Sequence, residues 1–143
     1  MLAGHMDEIG FMVHHITDEG LLRFMPLGGW WNQVLLGQRV MVQTRKGNLT
    51  GVIGAKPPHL LGLEERNKVV EKKDMYIDIG ALSKKEAEEA GVRPGDPAVP
   101  ASTFEVLANG KSYFCKAFDD RIGVALTIEA LRHFATNSHP NAL

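Results

Sequence analysis

The chain of 143 residues carries 16 Lys and Arg against 17 Asp and Glu, a balance that excludes the basic footprint of nucleic-acid or anionic-membrane binding. Its 44% hydrophobic and 23% charged content is that of a soluble globular protein, one ordinary domain or one small domain with pieces of another. No stretch approaches the roughly 20 apolar residues that span a bilayer, no signal peptide opens the chain, and the one cysteine, Cys115, allows no internal disulfide, which fits a reducing cytoplasm.

From Ile9 to Gly54 the sequence predicts short strands separated by turns. Ile9–Ile16 is apolar with partial alternation, Thr17–Gly20 has turn chemistry, and Leu21–Leu27 is the return strand, closed by Gly28-Gly29. Gln38–Thr44 alternates polar and apolar as a half-buried strand does. Arg45–Asn48 is a tight turn, with Leu49–Ile53 as partner strand. Short strands at this spacing favour a small barrel or sandwich. Gly54–Lys73 is irregular, with Pro57-Pro58 blocking regular structure and Glu64–Lys73 reading as a solvated excursion. Met75–Ile79 resumes the strand pattern.

Ser83-Lys84-Lys85-Glu86 matches a capping box, with Glu86 reaching back to the Ser83 amide, and the short helix should end near Gly91. Arg93–Pro97 is a turn; Val99–Leu107 and Ser112–Phe118 are two strands around Ala108-Asn109-Gly110. Ile122, Ala125, Leu126, Ile128, Ala130, Leu131 and Phe134 then form an apolar stripe at helical spacing, starting just after Asp119-Asp120. The uncovered apolar faces of that helix and of the strand before it predict association, a rearranged helix or marginal order.

Two motifs carry chemistry. In His5-Met6-Asp7-Glu8 the imidazole can ligate a metal while Asp7 orients the ring. Asp119-Asp120 stands between a strand and a helix, where a carboxylate can bridge two cations; the alternative is a helix N-cap, with Asp120 accepting from an amide. His14 and His15 fall on opposite faces of a strand, one packed and one solvated, and so are poor co-ligands. His59, His133 and His139 have no ligand spacing to His5. Trp30 and Trp31, adjacent on a strand, cannot share one core; one is a structural anchor and the other an interface contact.

Gly4–Phe11 and Lys116–Gly123, with Gly51–His59, Asp78–Ala81, Gly91–Asp96 and His139-Pro140-Asn141 between and after them, resemble the glutamyl aminopeptidase and deblocking aminopeptidase family. These are the self-compartmentalising tetrahedral metallopeptidases, some of them labelled endoglucanases. The resemblance implies an α+β chain in which residues 9–102 form a β-barrel insertion used for oligomer contact. Residues 1–8 and 103–143 would be remnants of an α/β/α catalytic domain. It implies two divalent metals, zinc or cobalt with manganese as a further candidate, a peptide substrate and a homo-oligomer. His5 would ligate one metal, Asp119 would bridge both through a strained or cis peptide to Asp120, and Asp7 would orient His5. The family's Glu-Glu base and its remaining ligands follow the His-Pro-Asn segment and have no counterpart in this chain. An internal fragment, inactive alone, is therefore expected. The other readings are a non-catalytic oligomerisation module and, more weakly, a glycoside hydrolase, for which no opposed carboxylate pair is evident.

Overall fold

The computed structural model describes residues 1–137 and Pro140; of the His-Pro-Asn motif, His139 and Asn141 lie outside the described residues. The chain divides into two compact units, Ile9–Ala101 and Met1–Glu8 together with the chain from Ser102 onward.

The first unit is a closed antiparallel barrel. Its strands are β1 (Gly10–Ile16), β2 (Leu22–Leu27), β3 (Arg39–Thr44), β4 (Gly47–Gly54), β5 (Tyr76–Asp78) and β6 (Pro97–Pro100), in the order β1-β2-β5-β4-β3-β6 around the barrel. Closure removes the exposed edges that an open sheet would present. Alternation sorts the side chains: Val40 and Val42 of β3 are wholly buried while Arg39 and Gln43 face water. Phe11, Val13, Ile16, Leu22, Phe24, Ile53, Ile77 and Ala98 complete a core that also takes in Leu35, Met75, Ala87 and Val92 from the connections. The fold is thus mixed strand and helix around a six-stranded barrel.

Three details depart from the pattern reading. His14 and His15 are both exposed, because a bulge between Val13 and His15 breaks the alternation and returns Ile16, not His15, to the core. Trp30 and Trp31 lie on no strand. Trp30 is the anchor: its indole Nε1 donates to the Gly10 carbonyl at 2.9 Å, and its ring stacks on Phe11 with centroids 4.8 Å apart. Trp31 stands 66% exposed. The run from Val99 to Leu107 is two strands, since Val99 and Pro100 pair with Met41 and Val40 of β3, leaving β7 (Glu105–Val106) to the other unit.

The short helix α2 (Lys84–Glu89) is half of the expected capping box; an earlier single turn, α1, spans Leu63–Arg66. Ser83 Oγ accepts from the Glu86 amide at 3.2 Å, but the Glu86 carboxylate accepts from Leu82 N, one residue before the cap. The helix stops at Gly91, whose φ of +106° suits a residue without a Cβ.

In the second unit, β7 pairs with β8 (Tyr113–Phe114) around an Asn109 side chain that accepts from the amides of Lys111 and Ser112. Helix α3 (Phe118–Thr136) follows. The stripe forms the helix but none of it is buried: Ile122, Leu126, Ile128 and Leu131 remain exposed. No helix among the described residues is long and apolar enough to cross a membrane.

Phe11 joins the core, an edge contact with Phe24 and the Trp30 stack. Phe11→Ala is expected to destabilise the barrel by about 3–5 kcal/mol, read as a lower midpoint in chemical denaturation followed by circular dichroism.

Candidate metal centre

The Asp119–Asp120 peptide is cis, and both residues have non-helical backbone angles at the head of α3. The two carboxylates divide the roles that the sequence left open. Asp120 caps: its Oδ1 accepts from Gly123 N at 2.9 Å. A Cβ at 123 would lie 2.3–2.6 Å from the Asp120 carboxylate, so a larger residue there would displace the cap. Asp119 is left out of the helix with its side chain 97% exposed.

Residues 4–8 lie in no helix or strand, yet they run against this helix start. His5 Nε2 is 3.2 Å from Asp119 Oδ1, although 114 positions separate the residues. His5 Nδ1 is 3.0 Å from Asp7 Oδ1. One carboxylate therefore faces each ring nitrogen, the arrangement in which one nitrogen ligates and the other is held by its partner. His5, Asp7, Asp119 and Asp120 are thus brought together within one unit.

The donors fit a shared cation in kind and in span. Two donors each about 2.1 Å from a tetrahedral ion lie about 3.4 Å apart, near the 3.2 Å found between His5 Nε2 and Asp119 Oδ1. They do not fit in number: among the described residues no group of three or more His, Cys, Asp or Glu side chains is arranged to hold a metal. His14, His15 and His59 belong to the barrel unit, and His133 sits in the last turn of α3, edge-on to Phe134.

Three contacts around the centre have no signal in the sequence spacing. Lys116 Nζ pairs with Glu8 Oε1, both side chains largely withdrawn from water. Arg121 Nε donates to the Met6 carbonyl at 3.0 Å. Gly4 packs so closely on α3 that a Cβ would lie 2.6 Å from Val124 N. Cys115 is half-buried beside Lys116 in sequence.

Desolvation lowers the basicity of His5, but the charge of Asp7, a hydrogen bond with its backbone, and the hydrogen bond and charge of Asp119 outweigh it. The ring accordingly titrates above an ordinary imidazole. The sign follows: these contacts favour the protonated ring, so their contribution is complete below the unfolded-state value and fades as pH rises through the raised folded value. A cation needs the neutral ring, so its affinity rises over that same interval. In the metal-free chain, proton NMR should show His5 titrating above free imidazole, with Asp119→Asn lowering it; an unmoved midpoint in that variant would contradict the assignment.

The family model for M42 glutamyl aminopeptidase matches residues 1–143. The glutamyl aminopeptidase of Lactococcus lactis subsp. cremoris is 39% identical over 145 residues, covering 100% of this chain and 41% of that protein. A TET aminopeptidase from a marine-sediment Thaumarchaeota archaeon superposes with a TM-score of 0.91 at 56% identity, covering 96% of this chain and 39% of that one. The TET1 peptidase of Pyrococcus horikoshii, described as assembling into a tetrahedron or a large octahedral shell, gives 0.78 at 50% identity, with 92% and 39% covered. The chain spans 37–41% of the length of three curated relatives that it matches. With the match running from its first residue to its last, the chain belongs to the M42 glutamyl aminopeptidase family.

Proposed function

We propose that the chain is part of a metal-dependent aminopeptidase, supplying one ligating histidine, one bridging carboxylate and a subunit-contact barrel, and that it does not turn over substrate alone. The observation that carries this reading is the approach of His5 Nε2 to Asp119 Oδ1 with Asp7 behind the ring. In this reading His5 holds one cation, Asp119 reaches toward two, and Asp7 keeps the ring in the tautomer that leaves Nε2 free to ligate. Zinc and cobalt suit this nitrogen and oxygen donor set, and manganese is tolerated by it. Such a cation, when bound, supplies Lewis acidity toward water and a scissile carbonyl.

Peptide hydrolysis also takes a general base. Beyond Asp7, the acid nearest to His5 in sequence is Glu8, but its carboxylate is engaged by Lys116 and mostly buried. The base and the remaining ligands are therefore assigned to chain beyond these 143 residues, as the family resemblance implies. The barrel is read as the contact between subunits; the assemblies described for the Pyrococcus horikoshii relative and the exposure of Trp31 support that reading.

Calorimetric zinc titration tests the metal assignment. His5→Ala and Asp119→Ala should each abolish the wild-type isotherm, and Asp7→Asn should weaken it about 10–100-fold; equal binding by all four proteins would refute it. No p-nitroaniline should be released from aminoacyl-p-nitroanilides by the isolated chain, and turnover would refute the incompleteness of the site. Sedimentation should show self-association reduced by Trp31→Glu, whereas an unchanged mass would remove Trp31 from the contact.

A further inference from the structure

The metal ligands are exposed, but what holds them together is not. The side chains of Asp7 and Asp119 are 87% and 97% exposed, and ion pairs in that setting contribute little and do not define a geometry by themselves. The segment carrying His5 has no ladder of strand bonds to fix it, since residues 4–8 lie in no strand or helix. Something else must set its register against Asp119.

The contacts around it supply that register. Glu8 lies three residues after His5, and Lys116 three residues before Asp119. The two segments meet at 8 with 116, at 5 with 119, and at 4 with 123 and 124. One segment thus runs backward while the other runs forward, and the ion pair and the glycine contact bracket the two ligands. Arg121, two residues beyond Asp119, closes the bracket by donating to the carbonyl of Met6, the residue after His5.

The ion pair is a costly way merely to add stability. Glu8 and Lys116 have side chains 16% and 29% exposed, and a desolvated pair contributes less than apolar residues of similar volume often do. Its better-attested use is to specify register. Register matters here because a slip of one residue moves an extended chain about 3.3 Å, whereas a cation must lie about 2.1 Å from both donors.

We propose that Lys116 and Arg121 are positioning residues: through Glu8 and the Met6 carbonyl they set the register of residues 4–8 and so hold His5 Nε2 against Asp119 Oδ1. This rests on the reading of His5 and Asp119 as metal ligands, but the contact concerned exists without metal and can be tested without it.

The test is the nuclear Overhauser cross-peak between the His5 ring protons and the Asp119 methylene in the metal-free 143-residue chain. Lys116→Met should lose it, while Lys116→Arg, which keeps the cation, retains it; Arg121→Ala should also lose it. The Trp30 indole resonance, which reports the barrel through the Gly10 bond, and the amides of Arg121–Thr136 must stay in place, so that unfolding is not mistaken for lost register. If Lys116→Met unfolds the second unit, Glu8→Gln gives the same reading with a smaller change. A full cross-peak in Lys116→Met or Glu8→Gln overturns the proposal, as does its loss in Lys116→Arg, which would assign the effect to the lysine stem. A full cross-peak in Arg121→Ala removes Arg121 from the role. Zinc titration separates the two claims: a chain that shows the register effect but whose zinc binding survives both His5→Ala and Asp119→Ala refutes the metal reading and leaves the positioning intact.

Discussion

The pairing of β1 with β6 is the constraint on which the rest of the molecule depends. Phe11 lies opposite Ala98 and Met12 opposite Pro97, so the first and last strands of the barrel are neighbours running in opposite directions. Backbone bonds from Val13 N to Asp96 O and from Gly95 N to Val13 O extend the tie. Gly10 permits it, because a Cβ there would lie 2.8 Å from the Ala98 carbonyl. The barrel therefore receives the chain and releases it at adjacent positions. Closing a loop of this length costs conformational entropy, and the contacts within the barrel offset that cost in the folded chain. Segments that enter and leave a compact unit at adjacent positions can meet each other, as His5 and Asp119 do.

Around that centre the forces are unequal. The His5 contacts with Asp7 and Asp119 are exposed and screened, so they favour an imidazolium ring without securing its place. The Glu8–Lys116 pair, the Arg121–Met6 bond and the Gly4–Val124 approach are withdrawn or short-range, and they secure geometry. This division would suit a metal site of the kind proposed: His5 and Asp119 stay accessible, while contacts that do not involve either ring nitrogen or the Asp119 carboxylate hold the two segments together.

Much of the secondary structure was legible because its elements are local. The alternation of Gln38–Thr44, the turn at Arg45–Asn48, the Ser83 cap and the Asn109-Gly110 hairpin are each decided by a few neighbouring residues. The bulge at His14 was not legible, since one extra residue inverts the expected faces without altering composition. Neither was the split of Val99–Leu107, because the pairing of Val99 and Pro100 with β3 is decided far along the chain. The exposed stripe of α3 was readable as a helix and as an unfilled face. At the site, the residue types in the His-x-Asp and Asp-Asp motifs pointed to ligands, and the family resemblance joined them. The Glu8–Lys116 and Arg121–Met6 contacts span 108 and 115 positions, and no local pattern announces contacts of that kind.

We propose that His5 and Asp119 are two ligands of one cation. Anomalous diffraction at the zinc absorption edge, from crystals of the chain grown with zinc, tests it most directly. The account predicts a peak about 2.1 Å from both His5 Nε2 and an Asp119 carboxylate oxygen, with Asp7 still on Nδ1. A peak confined to other side chains such as His14 or His15, with His5 and Asp119 bonded only to each other, would contradict it.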